Sequence, residues 1–241
     1  MIQYKIRIVD IFKNYNSNLE NGRPGIRWAF EPIKKKTKYL ILGINPSNSF
    51  NKANSVIQKS GNKWFKGKFK NQEEYDRFLT NEENEYEITL LQELAHEHHP
   101  HFKKHKKFIT LLKSLEDYNC QFFDLFPVWG IKQKDFIGDL KDDEKEESIN
   151  AFKELIDRHP NIECLLFFNA GAADFFMKEN KTKWDSEKKV NVREDNDKRE
   201  RSSIVKKGEI ELENRDIDVY SFGIGGYFGD KEMEKLAQIW N

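Results

Sequence analysis

Lys38-Tyr39-Leu40-Ile41-Leu42-Gly43-Ile44-Asn45-Pro46-Ser47 is the stretch that decides the fold. Tyr39 to Leu42 is a continuous apolar run, the pattern of a strand covered on both faces. Gly43 closes the run and lets the backbone come close to whatever lies above the strand end. Pro46 fixes its own φ and biases Asn45 away from helical geometry. An uncharged amide is therefore expected in a defined pose at the mouth of a parallel sheet. Ligands of open α/β sheets bind at that edge.

Outward from this strand the pattern repeats. Cys120 to Val128 reads as a second strand ending at Phe126-Pro127. Ile162 to Phe168 reads as a third, running into Asn169-Ala170-Gly171-Ala172-Ala173. Val219 to Phe222 reads as a fourth, with an extra β segment at Glu209 to Leu212 and a glycine-rich stretch after it. Helical spacing runs from Glu73 to His99, from Phe102 to Leu115, from Asp142 to Arg158 and from Lys231 to Trp240. Residues 1–20 read as a helical or strand–helix lead-in. Residues 51–70 read as irregular, and 178–207 is charged enough to read as a mobile insertion.

Strands alternating with helices predict a three-layer α/β/α sandwich with a central, mainly parallel four-stranded sheet. One domain is expected over residues 1–241, with charged insertions near 51–107 and 178–207. In a parallel sheet the turns at Asn45-Pro46, Phe126-Pro127, Asn169-Ala170-Gly171 and Gly223-Ile224-Gly225-Gly226 meet at one edge.

Composition narrows the function. The 41 Lys and Arg residues cancel 41 Asp and Glu, so nucleic-acid contact requires a local basic patch rather than a global field. Two cysteines, Cys120 and Cys164, exclude a disulfide scaffold and a four-cysteine metal site, and both read as inert core residues. The start of the chain lacks a signal-peptide pattern, and no apolar run approaches the roughly 20 residues that span a bilayer. The expectation is a cytoplasmic protein without a membrane partner, monomeric, with no cofactor. His101 and His105 stand four apart, but lysines surround them and no His-Glu-x-x-His pattern is present. The histidine-rich stretch from His96 to His105 therefore reads as a polar interhelical segment, and no metal is expected. The glycine-rich tail matches neither a Walker A nor a dinucleotide fingerprint.

Taken in order, these motifs resemble the uracil-DNA glycosylase superfamily, nearest to its mismatch-specific uracil/thymine branch. Gly43-Ile44-Asn45-Pro46-Ser47 is similar to that branch's Gly-Ile-Asn-Pro-Gly motif. Gly61-Asn62-Lys63-Trp64-Phe65-Lys66 is similar to its Asn-Arg-Phe-Trp-Lys segment. Asp124-Leu125-Phe126-Pro127 is similar to an Asn-Leu-Val-Pro type of strand ending. Leu165 to Ala173 is similar to the strand and Gly/Ala-rich helix start that follow. Ser221-Phe222-Gly223 stands where the superfamily has His-Pro-Ser or Asn-Pro-Ser and lacks both the His and the Pro.

The resemblance implies hydrolysis of the N-glycosidic bond of a flipped uracil-type, deaminated or mismatched base in DNA. Asn45 would position the attacking water. Gly43, Ile44, Phe50, Asp124 and Asn169 would surround the base, with Phe50 stacking on it. Asp124 replaces an Asn. An ionised carboxylate only accepts hydrogen bonds, which suits a base presenting donors and penalises uracil O4. Ser47, Lys63, Trp64, Lys66, Ser221, Gly223, Gly225 and Gly226 would contact DNA.

Each assignment has a plainer alternative. Asn45 could only close its turn, Phe50 could be core, Asp124 could cap or salt-bridge at its strand end, and Asn169 could only form its turn. Lys63 to Lys66 could be a solvated loop. The missing His and Pro favour a second reading, a catalytically degenerate nucleotide or nucleic-acid binding module on the same fold. A small-molecule hydrolase or nucleosidase is a third.

Overall fold

The computed structural model describes residues 2–11, 32–44, 49–112, 119–126, 137–138, 140–191, 202–224 and 230–240. Their helices are α1 (Ile2–Ile11), α2 (Phe50–Ser60), α3 (Gln72–Thr80), α4 (Glu85–His98), α5 (Pro100–Leu111), α6 (Asp142–Asp157), α7 (Ala170–Glu179) and α8 (Asp230–Trp240). Their strands are β1 (Tyr39–Gly43), β2 (Cys120–Asp124), β3 (Cys164–Phe167), β4 (Ser186–Asn191), β5 (Ser202–Glu211) and β6 (Asp216–Phe222). Two compact units divide the chain. The first takes Met1–Pro32, Ile44–Lys103 and Asp124–Ala151; the second takes Ile33–Gly43, Lys104–Phe123 and Phe152–Asn241.

The second unit is built on the sheet, in the order β2-β1-β3-β6-β5-β4. β1 and β3 pair in parallel from Tyr39↔Cys164 to Leu42↔Phe167, and β3 and β6 from Cys164↔Asp218 to Phe167↔Ser221. β5 runs antiparallel to β6, and β4 antiparallel to β5. The sheet is thus mostly parallel but has six strands, not four. The central strands are apolar because both faces are covered: Leu40, Leu165, Leu166, Phe167, Val219 and Phe222 are all fully buried.

Side chains alternate across the sheet, so neighbouring phenylalanines reach different helices. Phe167 lies 5.3 Å from Phe176 of α7, and Phe123 lies 5.7 Å from Phe152 of α6. On the opposite face Phe168 and Phe222 lie 5.5 and 5.2 Å from Phe108 of α5, and Phe122 lies 6.1 Å from His105. Helices therefore cover both faces. Gly208 of β5 lies at a close approach: a Cβ there would stand 2.7 Å from Met177 Cε and 3.2 Å from a Trp184 ring carbon, so both side chains would have to shift.

Of the segment 178–207, expected to be a mobile insertion, the described residues instead end α7 and supply β4 and the start of β5, while 192–201 lie outside the described residues. β4 is Ser-Glu-Lys-Lys-Val-Asn, with almost no apolar side chain to announce it. Backbone pairing holds it in register from Ser186↔Lys207 to Asn191↔Ser202. Its exposed charges suit an edge strand, where they discourage pairing with another chain. The Lys206 ammonium ties the hairpin to α7 through Asp174 at 2.8 Å and reaches Glu187 at 3.5 Å.

The first unit has its own core. Ala53, Ile57, Phe65, Phe69, Tyr75, Phe78, Leu79, Ile88 and Leu91 form one buried cluster. Its rings pack against one another, with Phe69 4.8 Å from Phe78 and 5.3 Å from Tyr75. Residues 51–70 are thus not irregular: α2 occupies 50–60, and the turn after it is anchored by Phe65 and Phe69. The helix expected over Glu73 to His99 is two helices, α3 and α4, parted by a short 3₁₀ turn at Glu82–Asn84. The break has a cause. Asn81 lets its N–H bond Phe78 O and its Oδ1 accept from Glu83 N, while Asn84 Nδ2 donates to Phe78 O.

Candidate functional site

In the sheet unit the strand order reverses around β1. The chain moves from β1 to β2 on one side and later to β3 on the other, which makes the β1–β3 crevice the switch point of this fold. Gly43 ends β1 there, half-buried. Asn169 follows β3, exposed, and caps α7 by accepting from Ala172 N at 3.2 Å. Its capping explains why the helix starts at Ala170 and gives the amide a structural task. The two residues that should complete this edge, Asn45 and Pro46, lie outside the described residues, as do Ser47, Gly225 and Gly226.

The end of β6 differs from expectation. Ser221 is fully buried, paired in register with Phe167, and its hydroxyl has no hydrogen-bond partner among the described residues. Period-two alternation, which also buries Val219, turns it inward, so it is no surface hydroxyl for a phosphate. Gly223 is also engaged. Its N–H bonds Ile204 O at 3.3 Å, and its carbonyl accepts from Ser203 Oγ at 2.8 Å. Cys164 is buried, and burial pushes its thiol well up, which makes it inert.

In the first unit the end of β2 carries a polar network. Gln92 Nε2 on α4 donates to Asp124 Oδ2 at 2.8 Å and lies 3.1 Å from His96 Nε2. An ionised carboxylate can only accept, so the amide nitrogen faces Asp124. Gln92 and His96 are both buried, and His96 meets the Phe102 ring edge-on at 4.6 Å. Tyr4 of α1 donates to Leu125 O at 3.3 Å, and burial, with the Asp124 charge behind it, pushes its phenol up. Neither Gln92 nor His96 stands out in sequence as a site residue. Their i, i+4 spacing is the signal that could have paired them.

Ile44 is buried and its carbonyl accepts from Phe126 N at 2.8 Å, which joins the exits of β1 and β2. Phe50 is the first residue of α2, half-buried against the aromatic cluster and 6.4 Å from Tyr75. Its backbone N–H is held by Gln72 Oε1. Packing thus accounts for much of this ring.

A second feature of this unit is the turn after α2. Gly61 (φ +65°) ends the helix in left-handed geometry. Asn62 Oδ1 then accepts from Trp64 N at 2.9 Å and Phe65 N at 3.3 Å. This Asx turn sends Phe65 inward and Trp64 outward: Phe65 is buried, while Trp64 is 65 % exposed. Trp64 Nε1 donates to Glu87 Oε1 at 3.0 Å, and Lys68 pairs with the other Glu87 oxygen at 2.6 Å. Lys63 and Lys66 are exposed.

Among the described residues no group of three or more His, Cys, Asp or Glu could hold a metal ion, and no helix is long and apolar enough to cross a membrane. Comparison with known proteins returns no match: no family model, no curated protein and no solved structure matches the chain.

Proposed function

We propose that this chain is a base-excision DNA glycosylase of the uracil-DNA glycosylase type. It hydrolyses the N-glycosidic bond of an extruded uracil-type, deaminated or mismatched base. The observation that carries the reading is the place of β1, which ends at Gly43 beside the strand-order reversal of the sheet, with Asn45-Pro46 following in sequence. Asn45 holds a water through its amide oxygen. The water oxygen bonds the sugar C1′ as the C1′–N bond breaks, and the base leaves with the electron pair and takes up the water's proton. The amide acts by positioning, since it is a poor base, and backbone N–H groups stabilise the departing charge. Asp124, its carboxylate held by Gln92, biases recognition toward bases that present donors. Lys63, Trp64 and Lys66 meet the DNA.

A second reading has an observation in its favour. Ser221 is buried and Gly223 is bonded to β5, so neither is placed to grip a phosphate. The superfamily's His and Pro are also missing from Ser221-Phe222-Gly223, and that departure favours a catalytically degenerate module that binds a nucleotide or nucleic acid without cleaving it. Oligonucleotides carrying uracil, hypoxanthine, xanthine or a mismatched thymine separate the two. Base release from at least one substrate, abolished by Asn45→Ala, supports the enzyme. Binding without release from any of them supports the module. Turnover of free nucleosides without DNA binding contradicts both.

A further inference from the structure

We infer that Gln92 is a specificity-determining positioning residue. By holding the Asp124 carboxylate it turns the base site toward 6-oxopurines whose N1–H is not flanked by a C2 carbonyl, and hypoxanthine is the deaminated member of that class. The inference rests on the reading above and names the substrate of that same site.

Two observations place the carboxylate and fix it. The exits of β1 and β2 are tied side by side, since Ile44 O accepts from Phe126 N at 2.8 Å. Asp124 stands two residues before Phe126, and Asn45 follows Ile44 directly in sequence. The carboxylate is also braced. Gln92 Nε2 donates to Asp124 Oδ2 at 2.8 Å, and the same nitrogen lies 3.1 Å from His96 Nε2. Gln92 and His96 are both buried, and His96 is itself set edge-on against Phe102 at 4.6 Å. The buried Tyr4 phenol donates to Leu125 O at 3.3 Å and so holds the chain just after Asp124. A side chain gripped by buried, packed partners keeps one orientation.

Chemistry then selects the base. An ionised carboxylate offers about four acceptor sites and no donor, so the bond from Gln92 does not exhaust it. Set edge to edge against a base, it covers two neighbouring ring positions, and neither can present an acceptor. Uracil and thymine carry N3–H between two carbonyls, and xanthine carries N1–H between two carbonyls. One carboxylate oxygen would bond the N–H while the other faced a carbonyl oxygen. Adenine and cytosine set a ring-nitrogen lone pair beside the amino group. Hypoxanthine presents N1–H beside C2–H, and a C–H tolerates an oxygen. Guanine presents N1–H beside an amino group and fits as well, but its stable pairing raises the cost of extrusion, which is lowest for a damaged or mismatched base. Gln92 is the determinant because a freely turning carboxylate could bond any N–H end-on through one oxygen and accept uracil too.

The test compares kcat/KM for base release from duplexes carrying hypoxanthine, xanthine or uracil opposite thymine, with binding of the same duplexes followed by fluorescence anisotropy. Hypoxanthine should exceed the other two by about tenfold or more. Gln92→Met should bring the ratios toward one. Asp124→Asn, whose amide both donates and accepts, should raise uracil relative to hypoxanthine. The ratio is the readout because a loss of folded protein lowers every rate alike. Circular dichroism checks each variant, and where Gln92→Met does not fold, Gln92→Asn, which keeps an amide but draws it back from Asp124, is read in its place. Ratios that these Gln92 variants leave unchanged overturn the inference, as does a wild-type preference for uracil or xanthine. Release without preference for hypoxanthine overturns it and keeps the glycosylase. Preferential binding of hypoxanthine that depends on Gln92, without release from any duplex, keeps the positioning role and retires the glycosylase. Neither release nor preferential binding retires both.

Discussion

Replacing Gln92 is the sharpest probe of the first unit's polar network. The side chain is 4 % exposed and makes one bond to a carboxylate and one to an imidazole. A hydrogen bond to a charged group contributes about 1.5–3 kcal/mol, and a neutral one about 0.5–1.5 kcal/mol. Gln92→Met keeps the volume and removes both, so the expected loss is about 2–4 kcal/mol of unfolding free energy. Gln92→Glu distinguishes lost bonding from lost packing. It sets a second carboxyl against Asp124, and two carboxylates at that distance cannot both ionise freely. The carboxyl pair then binds a proton more tightly in the folded state than in the unfolded chain. The folded state gains on the unfolded one as pH falls from neutrality, so this variant should recover stability on mild acidification. Urea titrations followed by circular dichroism and tryptophan fluorescence measure both effects. A loss below about 1 kcal/mol for Gln92→Met, or no recovery for Gln92→Glu in acid, would refute the reasoning.

Further outcomes follow from particular contacts. Phe69→Ala removes a ring buried among Phe65, Tyr75 and Phe78 and should cost about 3–5 kcal/mol by denaturant unfolding. Gly61→Ala meets no neighbour within 4 Å, so its cost should be purely conformational, about 1–2 kcal/mol for the left-handed φ of +65°. Gly208→Val should be much worse tolerated, because Met177 and Trp184 already occupy the space; a thermal melt compares the two glycine variants. Burial, followed by His101, Lys52 and Lys59, holds the His99 imidazole below its ordinary value of 6.5. Its contribution is complete above 6.5 and is lost as pH falls through the depressed folded value, because there the unfolded chain binds more protons. His99→Gln should reduce that acid sensitivity in unfolding midpoints measured on either side of 6.5.

The elements that were legible in sequence are those whose burial is local and one-sided in its logic. β1 and β3 are continuous apolar runs because helices cover both faces, and α6 shows its stripe through Ile149, Phe152, Leu155 and Ile156. β4 was not legible, because its only structural asset is backbone pairing with another strand. Ser221 misled for a related reason. Its glycine-rich surroundings suggest a loop, whereas its register with Phe167 sends it under the sheet's helical layer. The two aromatic residues of Trp64-Phe65 diverge because an Asx turn separates adjacent side chains, which composition alone does not show. The Gln92–His96–Asp124 network joins a helix to a strand end far along the chain, and only its helical half carries a sequence signal.

The measurement that bears most directly on the central claim is a crystal structure of the Asn45→Ala variant with a uracil-bearing single strand. The account predicts an extruded base lodged where β1 and β3 end, beside Gly43 and Asn169. A base bound at any other edge, or a strand held only by the lysines with its bases in solvent, would contradict it.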